Sequence, residues 1–179
     1  MAIALEDLHR RHPGLTLAVC SAYAEAAAVC LGRHHVSPQA VRTTDERAEQ
    51  SYVVTWLGPS KRQEAAWANR DDATRDGAYS VALAVVEAHL GMVTTTRTAR
   101  RSGTDYYLVP VGVAVDVGEL DLEESIRLEV SGIGDPTTEA AVLYRLAQKV
   151  DQARKASSGL PAMAAVVAFG EPRVALRRA

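Results

Sequence analysis

Residues 78–90 of the chain read AYSVALAVVEAHL, and this stretch predicts the element around which the fold is built. Only Ser80, Glu87 and His89 interrupt its apolar sequence, so an α-helix here would be apolar on every face. A helix of that kind is buried inside its domain. We therefore predict a buried helix over residues 74–90, ended by the glycine that follows it.

The segments after this helix predict an α/β fold with a mixed sheet (α+β). β-branched and aromatic runs indicate three strands, an Asp-Pro pair begins a second helix, and an apolar run indicates a buried strand. These elements are predicted at residues 92–96, 104–109, 125–131, 135–156 and 162–169, with a last edge strand at 173–177. The resulting order is α-β-β-β-α-β, which is typical of a layered domain.

Residues 1–73 predict a helical and mixed N-terminal extension to a core of residues 74–179. An Ala-rich run over residues 15–31 has apolar residues at helical spacing. Residues 36–50 mix a Ser-Pro pair with charges and predict a loop, whereas the β-branched and aromatic run 51–57 predicts a strand. The apolar face of the first helix could dock on a partner protein or on a second copy of the chain.

Composition excludes several classes of protein. The chain has 179 residues with 20 Lys+Arg, 22 Asp+Glu and a formal net charge of −2. This balance excludes a uniformly basic coat protein for nucleic acid but not a local basic groove. Cys20 and Cys30 form neither a disulfide framework nor a zinc motif. Without a signal-peptide pattern or an apolar stretch long enough for a bilayer, we expect a cytoplasmic protein with no membrane partner.

Three acidic residues stand where polar side chains are not expected. Glu87 lies inside the apolar helix, Asp105 opens a strand, and Glu129 is the only acid of the next strand. Because side chains alternate along a strand, Glu129 shares a face with Arg127 and Ser131. Pairing of the two strands would bring Asp105 and Glu129 to one end of the sheet.

Buried carboxylates need a cation, a basic partner or water, because burial of an unpaired charge is costly. Mg²⁺ is a suitable cation, since it is typically held by one or two carboxylates together with substrate phosphate oxygens. Such an ion can activate water and neutralise charge on the leaving oxygen of a phosphodiester.

The element order and two short motifs resemble the PD-(D/E)XK nuclease superfamily, whose members share a restriction-endonuclease-like α-β-β-β-α-β core. The first motif, Gly103-Thr104-Asp105, opens one strand, and the second, Glu129-Val130-Ser131, lies on the next. The resemblance covers about residues 74–179. It implies a Mg²⁺- or Mn²⁺-dependent nuclease that cleaves phosphodiester bonds of nucleic acid, with DNA as the expected substrate, in a restriction, repair or defence setting.

By this resemblance Asp105 and Glu129 would be the catalytic, metal-binding acids, and Glu87 would be the additional helix acid of some members. The family's lysine, two residues beyond the second acid, is here Ser131, which cannot supply a cation. Some members relocate this lysine, and Lys149 on the following helix is the candidate to stabilise the transition state. If Lys149 points away from the site, the chain is instead a degenerate nuclease fold that binds nucleic acid or protein partners without cleavage.

Basic residues could extend such a site along the substrate. Arg97, Arg100 and Arg101 lie between the first two predicted strands, and Arg154 lies on the second predicted helix. In the expected fold they would neutralise phosphates along a groove. An ordinary solvated surface is the alternative interpretation of these arginines.

The acids and the lysine also fit structural roles. Asp105 could begin a strand after a turn, since Gly and Asp favour turns. Glu129 could pair with Arg127 in the sheet. Glu87 could reach solvent at its helix end, and Lys149 could be a solvated helix lysine. In that case the likeness to the nuclease superfamily is accidental.

Overall fold

The computed structural model describes residues 2–98, 104–113, 125–155 and 159–179, which form a mixed α/β structure. Its described strands are β1 (Ala2–Ala4), β2 (Gln39–Thr44), β3 (Glu49–Thr55), β4 (Met92–Arg97), β5 (Tyr106–Pro110), β6 (Ile126–Ile133), β7 (Ala162–Ala168) and β8 (Arg173–Arg178). Its described helices are α1 (Leu17–Gly32), α2 (Lys61–Ala66), α3 (Arg70–Leu90), α4 (Glu139–Arg154) and a 3-10 helix over Leu5–Arg10. The element order α-β-β-β-α-β predicted for the second part of the chain is therefore present.

The described strands form one mixed sheet in the order β1-β3-β2-β8-β7-β6-β5-β4. β4, β5 and β6 form an antiparallel meander, in which Tyr106 lies opposite Leu128. β6 and β7 pair in parallel, and α4 makes the crossover that a parallel pair requires. The meander and the crossover meet at β6, which carries one of the predicted acids.

Helices cover both faces of the sheet. α1 and α3 pack together on one face, where Leu83 of α3 joins Leu128 and Val130 of β6 in the larger apolar cluster. α4 covers the opposite face with a second cluster that includes Leu146. Glu129 and Ser131 share a face of β6, as the strand pattern predicts, and α4 covers this face. None of the helices described combines the length and the hydropathy that a membrane span requires.

Glycines set the position of α3 against its neighbours. A Cβ on Gly132 of β6 would lie 2.5 Å from the carbonyl oxygen of Thr74 in α3 and 2.7 Å from its Cγ2. A Cβ on Gly77 would lie 2.9 Å from the amide nitrogen of Ala27 in α1. The N-terminal half of α3 is therefore in backbone contact with both β6 and α1.

Two predictions about strands are wrong. The predicted loop at residues 36–50 contains β2, in which Val41 and Thr43 are buried while Arg42 between them is partly exposed. Charged residues on both sides of β2 obscure this short alternation of buried and exposed positions in the sequence. β8 is an interior strand rather than an edge, because β2 pairs with it in parallel on the side away from β7.

The starts of both long helices also differ from the prediction. α3 begins earlier, since the side chain of Asn69 accepts hydrogen bonds from the amides of the first helical turn. α4 begins later, with Thr138 as the N-cap residue. Asp135 does not cap α4, because its carboxylate accepts a hydrogen bond from Arg70 at 2.6 Å.

The N-terminal residues continue the same sheet and core. β1, β2 and β3 belong to the sheet that contains β6, and Leu5 and Leu8 of the 3-10 helix join the apolar cluster of α3. The predicted boundary between residues 73 and 74 falls inside α3.

We expect Gly132→Ala to lower the free energy of unfolding by about 1–3 kcal/mol, because the methyl group would overlap the Thr74 carbonyl and force α3 away from β6. Urea denaturation followed by circular dichroism measures this change. Gly58→Ala is the control, since no atom lies within 4 Å of a Cβ at that position. It should change stability by less than about 1 kcal/mol. Equal stability of the two variants would contradict the tight contact.

Candidate functional site

An open cleft of about 610 Å³ lies where α3, the start of β5, β6 and α4 meet. Asp105 and Glu129, the two predicted strand acids, both line it. Tyr79 of α3 and Lys149 of α4 line it as well, so helices from both faces of the sheet contribute to one site.

Asp105 is held by hydrogen bonds from two elements. The Tyr79 hydroxyl donates to Oδ1 at 2.8 Å, and the backbone N–H of Val130 donates to Oδ2 at 2.8 Å. The amide of Asp105 donates to the carbonyl of Leu128 at 2.7 Å. The carboxylate is therefore fixed against β6, beside Glu129.

Glu129 is nearly buried, with 4% of the residue exposed. Lys149 Nζ donates to Glu129 Oε1 at 2.7 Å, and Gln152 Nε2 donates to the same oxygen at 2.9 Å. Burial, the negative charge of Asp105 and a hydrogen bond between the two carboxyl groups raise the pKa of Glu129 to about 7, although Lys149 acts to lower it. Near neutral pH the carboxyl group of Glu129 is therefore protonated for part of the time.

Tyr79 is a site residue that the sequence analysis missed, because an aromatic residue in an apolar helix is typical of a core. Its ring does pack in the core, with 5% of the residue exposed. The centroids of the Tyr79 and Tyr106 rings lie 5.4 Å apart in an edge-on arrangement. Burial and the charge of Asp105 raise the pKa of Tyr79, so its hydroxyl remains a donor. The hydroxyl within an otherwise apolar run is the signal that could have identified it.

α4 presents polar side chains to the same face of β6. Arg145, Lys149 and Gln152 follow the spacing that places residues on one side of a helix. Arg145 Nη1 donates to Ser131 Oγ at 3.3 Å. The predicted role of Lys149 thus has a geometric basis, whereas Arg145 and Gln152 were not among the predicted site residues.

Glu87 is not brought to the cleft. It lies eight residues beyond Tyr79 on α3, about 12 Å along the helix axis. Its carboxylate accepts from Arg11 Nε at 2.7 Å and contacts His12 Nε2 at 3.1 Å. Glu87 therefore joins α3 to the segment after the 3-10 helix, which is a structural contact.

The predicted nucleic-acid-binding arginines have different locations. The guanidinium of Arg97 lies over the rings of Tyr79 and Tyr106, at 5.4 and 5.6 Å from their centroids, beside the cleft. Arg154 does not line the cleft, and its side chain is 3.8 Å from Asp151. Arg100 and Arg101 lie outside the described residues.

Asp105 and Glu129 are neighbouring carboxylates of this cleft that could hold a metal ion together. Within the described parts of the chain, no group of three or more His, Cys, Asp or Glu side chains is placed to bind one. Mg²⁺ often has only one or two carboxylate ligands and takes the others from water and substrate phosphates. The donor set fits that mode of binding and does not fit a cage built from protein ligands alone.

Comparisons of the chain with models of known protein families, with characterised proteins and with solved structures find no match. A functional interpretation therefore depends on the chemistry of the cleft.

The raised pKa of Glu129 predicts a pH-dependent stability. The folded protein holds the proton of Glu129 up to about pH 7, whereas an unfolded chain releases it near 4.5. The contribution of this group to stability is therefore present at low pH and is lost as pH rises from about 4.5 to about 7. As pH rises across this window, we expect the free energy of unfolding of Glu129→Gln to increase by about 1–3 kcal/mol relative to that of wild type. Urea denaturation at several pH values measures the difference, which should be absent for Glu64→Gln.

The ion pair between Lys149 and Glu129 predicts how the pKa of Glu129 changes when the lysine is replaced. Lys149→Met removes a hydrogen bond and a positive charge that both lower the pKa of Glu129, so this pKa should rise above about 7. Carbon-detected NMR titration of the glutamate carboxyl groups measures the shift. Lys61→Met is the matched control, because Lys61 forms a comparable but exposed ion pair with Glu64 at 2.8 Å. An unchanged pKa in Lys149→Met would mean that Lys149 does not interact with Glu129 in solution.

Proposed function

We propose that this protein is a nuclease of the PD-(D/E)XK type, which uses Mg²⁺ or Mn²⁺ to hydrolyse phosphodiester bonds of nucleic acid, with DNA as the expected substrate. The observation that carries the proposal is the contact of 2.7 Å between Lys149 Nζ and Glu129 Oε1, beside Asp105. Two acids and a lysine therefore lie in one cleft, although Ser131 occupies the position of the family's lysine. Restriction, repair or defence would be its biological setting.

Each residue has a separate task in this proposal. Asp105 and Glu129 hold the metal ion, which when bound activates water and neutralises charge on the phosphate. Tyr79 and a backbone amide hold Asp105 in position, so that little reorganisation is needed during the reaction. Lys149, oriented by Glu129 and Gln152, offers its remaining hydrogen-bonding capacity and its charge to the transition state.

The crowding of one Glu129 oxygen favours a second candidate function. Lys149 and Gln152 both donate to Oε1, so that oxygen is already satisfied within the protein. The ammonium group of Lys149 also compensates part of the carboxylate charge without any metal ion. A nuclease fold that binds nucleic acid or a protein partner without cleavage would have this arrangement.

Cleavage assays test the first function. We expect wild type to cut plasmid or oligonucleotide DNA in the presence of Mg²⁺ or Mn²⁺. Asp105→Asn, Glu129→Gln and Lys149→Met should each reduce the rate about 100-fold or more, because the first two remove a carboxylate ligand of the metal ion and the third removes a positive charge at the phosphate. Lys61→Met, whose ion pair is exposed and outside the cleft, should keep full activity. Retained activity in the three cleft variants would refute the assignment.

Metal binding separates the two candidate functions. Calorimetric titration of Mn²⁺ into wild type, with a non-cleavable phosphorothioate DNA present, should show a site that is lost in Asp105→Asn. Binding of DNA without any metal site would favour the second function.

A further inference from the structure

We infer that Arg145 and Ser131 form a phosphate-binding subsite in the cleft, which takes the phosphodiester backbone of nucleic acid next to the two acids. The identity of the ligand rests on the proposed function. The inference itself comes from the ion pairing of the cationic side chains in the cleft and from the position of one guanidinium group.

Among the described residues, four cationic side chains line the cleft, and three of them are paired with acids. The three ion pairs are Arg70–Asp135 at 2.6 Å, Arg75–Asp76 at 2.8 Å and Lys149–Glu129 at 2.7 Å. Arg145 is the fourth cation, and it contacts the neutral hydroxyl of Ser131 rather than a carboxylate of any described residue. No carboxylate of a described residue holds its guanidinium in an ion pair, so most of its N–H donors are available to an anionic ligand.

The position of Arg145 relates it to the acids. Ser131, to which its Nη1 donates at 3.3 Å, lies two residues beyond Glu129 on the same face of β6, which is about 7 Å along the strand. Arg145 also precedes Lys149 by one turn of α4. The guanidinium lies near the carboxylate pair but does not contact it, which is where a phosphate adjoining the scissile one would be held.

The two side chains offer complementary donors. Arg145 has five N–H donors in a planar fork, a geometry that suits phosphate oxygens, and one contact to Ser131 leaves most of them available. Ser131 accepts this hydrogen bond, and its own O–H has no acceptor among the described residues. A phosphate oxygen between them can accept from both groups. A guanidinium from α4 thus supplies the positive charge that residue 131 itself does not carry.

Binding measured without cleavage tests the subsite. Fluorescence anisotropy follows fluorescein-labelled single-stranded DNA, duplex DNA and RNA of the same sequence, with EDTA present and at several salt concentrations. For the probe that binds most tightly, we expect Arg145→Gln to weaken binding several-fold. The slope of log K against log salt should also become shallower by about 1, because one phosphate contact is lost.

Three further variants sharpen the test. Arg145→Lys should keep the wild-type salt slope, since it keeps the charge. Ser131→Ala should weaken binding without changing the slope, because it removes a neutral donor. Arg62→Gln removes an exposed arginine of α2 that does not line the cleft, and it should bind like wild type. Thermal unfolding followed by circular dichroism verifies that every variant is folded.

The outcomes separate this subsite from the proposed nuclease. A salt slope for Arg145→Gln equal to that of wild type, an equal loss in Arg62→Gln, or no binding of any probe would overturn the subsite. Binding that depends on Arg145 without metal-dependent cleavage would support the subsite and refute the nuclease. Metal-dependent cleavage by the wild type together with binding that is independent of Arg145 would refute the subsite and support the nuclease.

Discussion

The backbone contact between α3 and β6 is the constraint on which the cleft depends. Gly132 lets Thr74 approach β6 more closely than any side chain would permit, and the next turn of α3 then carries Tyr79 to Asp105. A hydrogen bond of 2.8 Å leaves little tolerance for a shift of the helix. The contact of Gly77 with α1 holds α3 from its other side. Packing in the apolar core therefore determines the geometry of a polar site at its edge.

The partly buried Glu87 and the buried Glu129 show different uses of a charge removed from solvent. Burial acts to raise the pKa of Glu87, but hydrogen bonds from His12 and Arg11 hold it below its ordinary value. These two partners favour the charged form of the Glu87 carboxylate, as expected for a structural ion pair. Glu129 has a single lysine against its own charge and that of Asp105, and its pKa is raised to about 7. Carboxylates that are only partly compensated in this way are costly for the fold and are concentrated at functional sites.

Local patterns in the sequence were sufficient for much of the fold and for part of the site. The apolar run of α3 and the alternation along β6 depend on near neighbours, and they correctly predicted a buried helix and the face occupied by Glu129. The sequence could not identify the partners of Glu87, because Arg11 is 76 residues away and is brought close by tertiary packing. Tyr79 was missed for a similar reason, since its ring belongs to the core and its hydroxyl to the cleft.

In the proposed nuclease the cation beside Glu129 comes from α4 and not from residue 131 of β6. α4 lies across the face of β6 that bears Glu129 and Ser131, so two residues one helical turn apart can each reach that face. Lys149 donates a hydrogen bond to Glu129 and acts to lower its pKa, whereas the guanidinium of Arg145 contacts no carboxylate of a described residue. Because the proposed catalytic and binding roles reside on different side chains, a change at Lys149 need not affect the contact proposed for Arg145. The two proposed functions therefore differ in the role of Lys149 and share the proposed anion contact of Arg145.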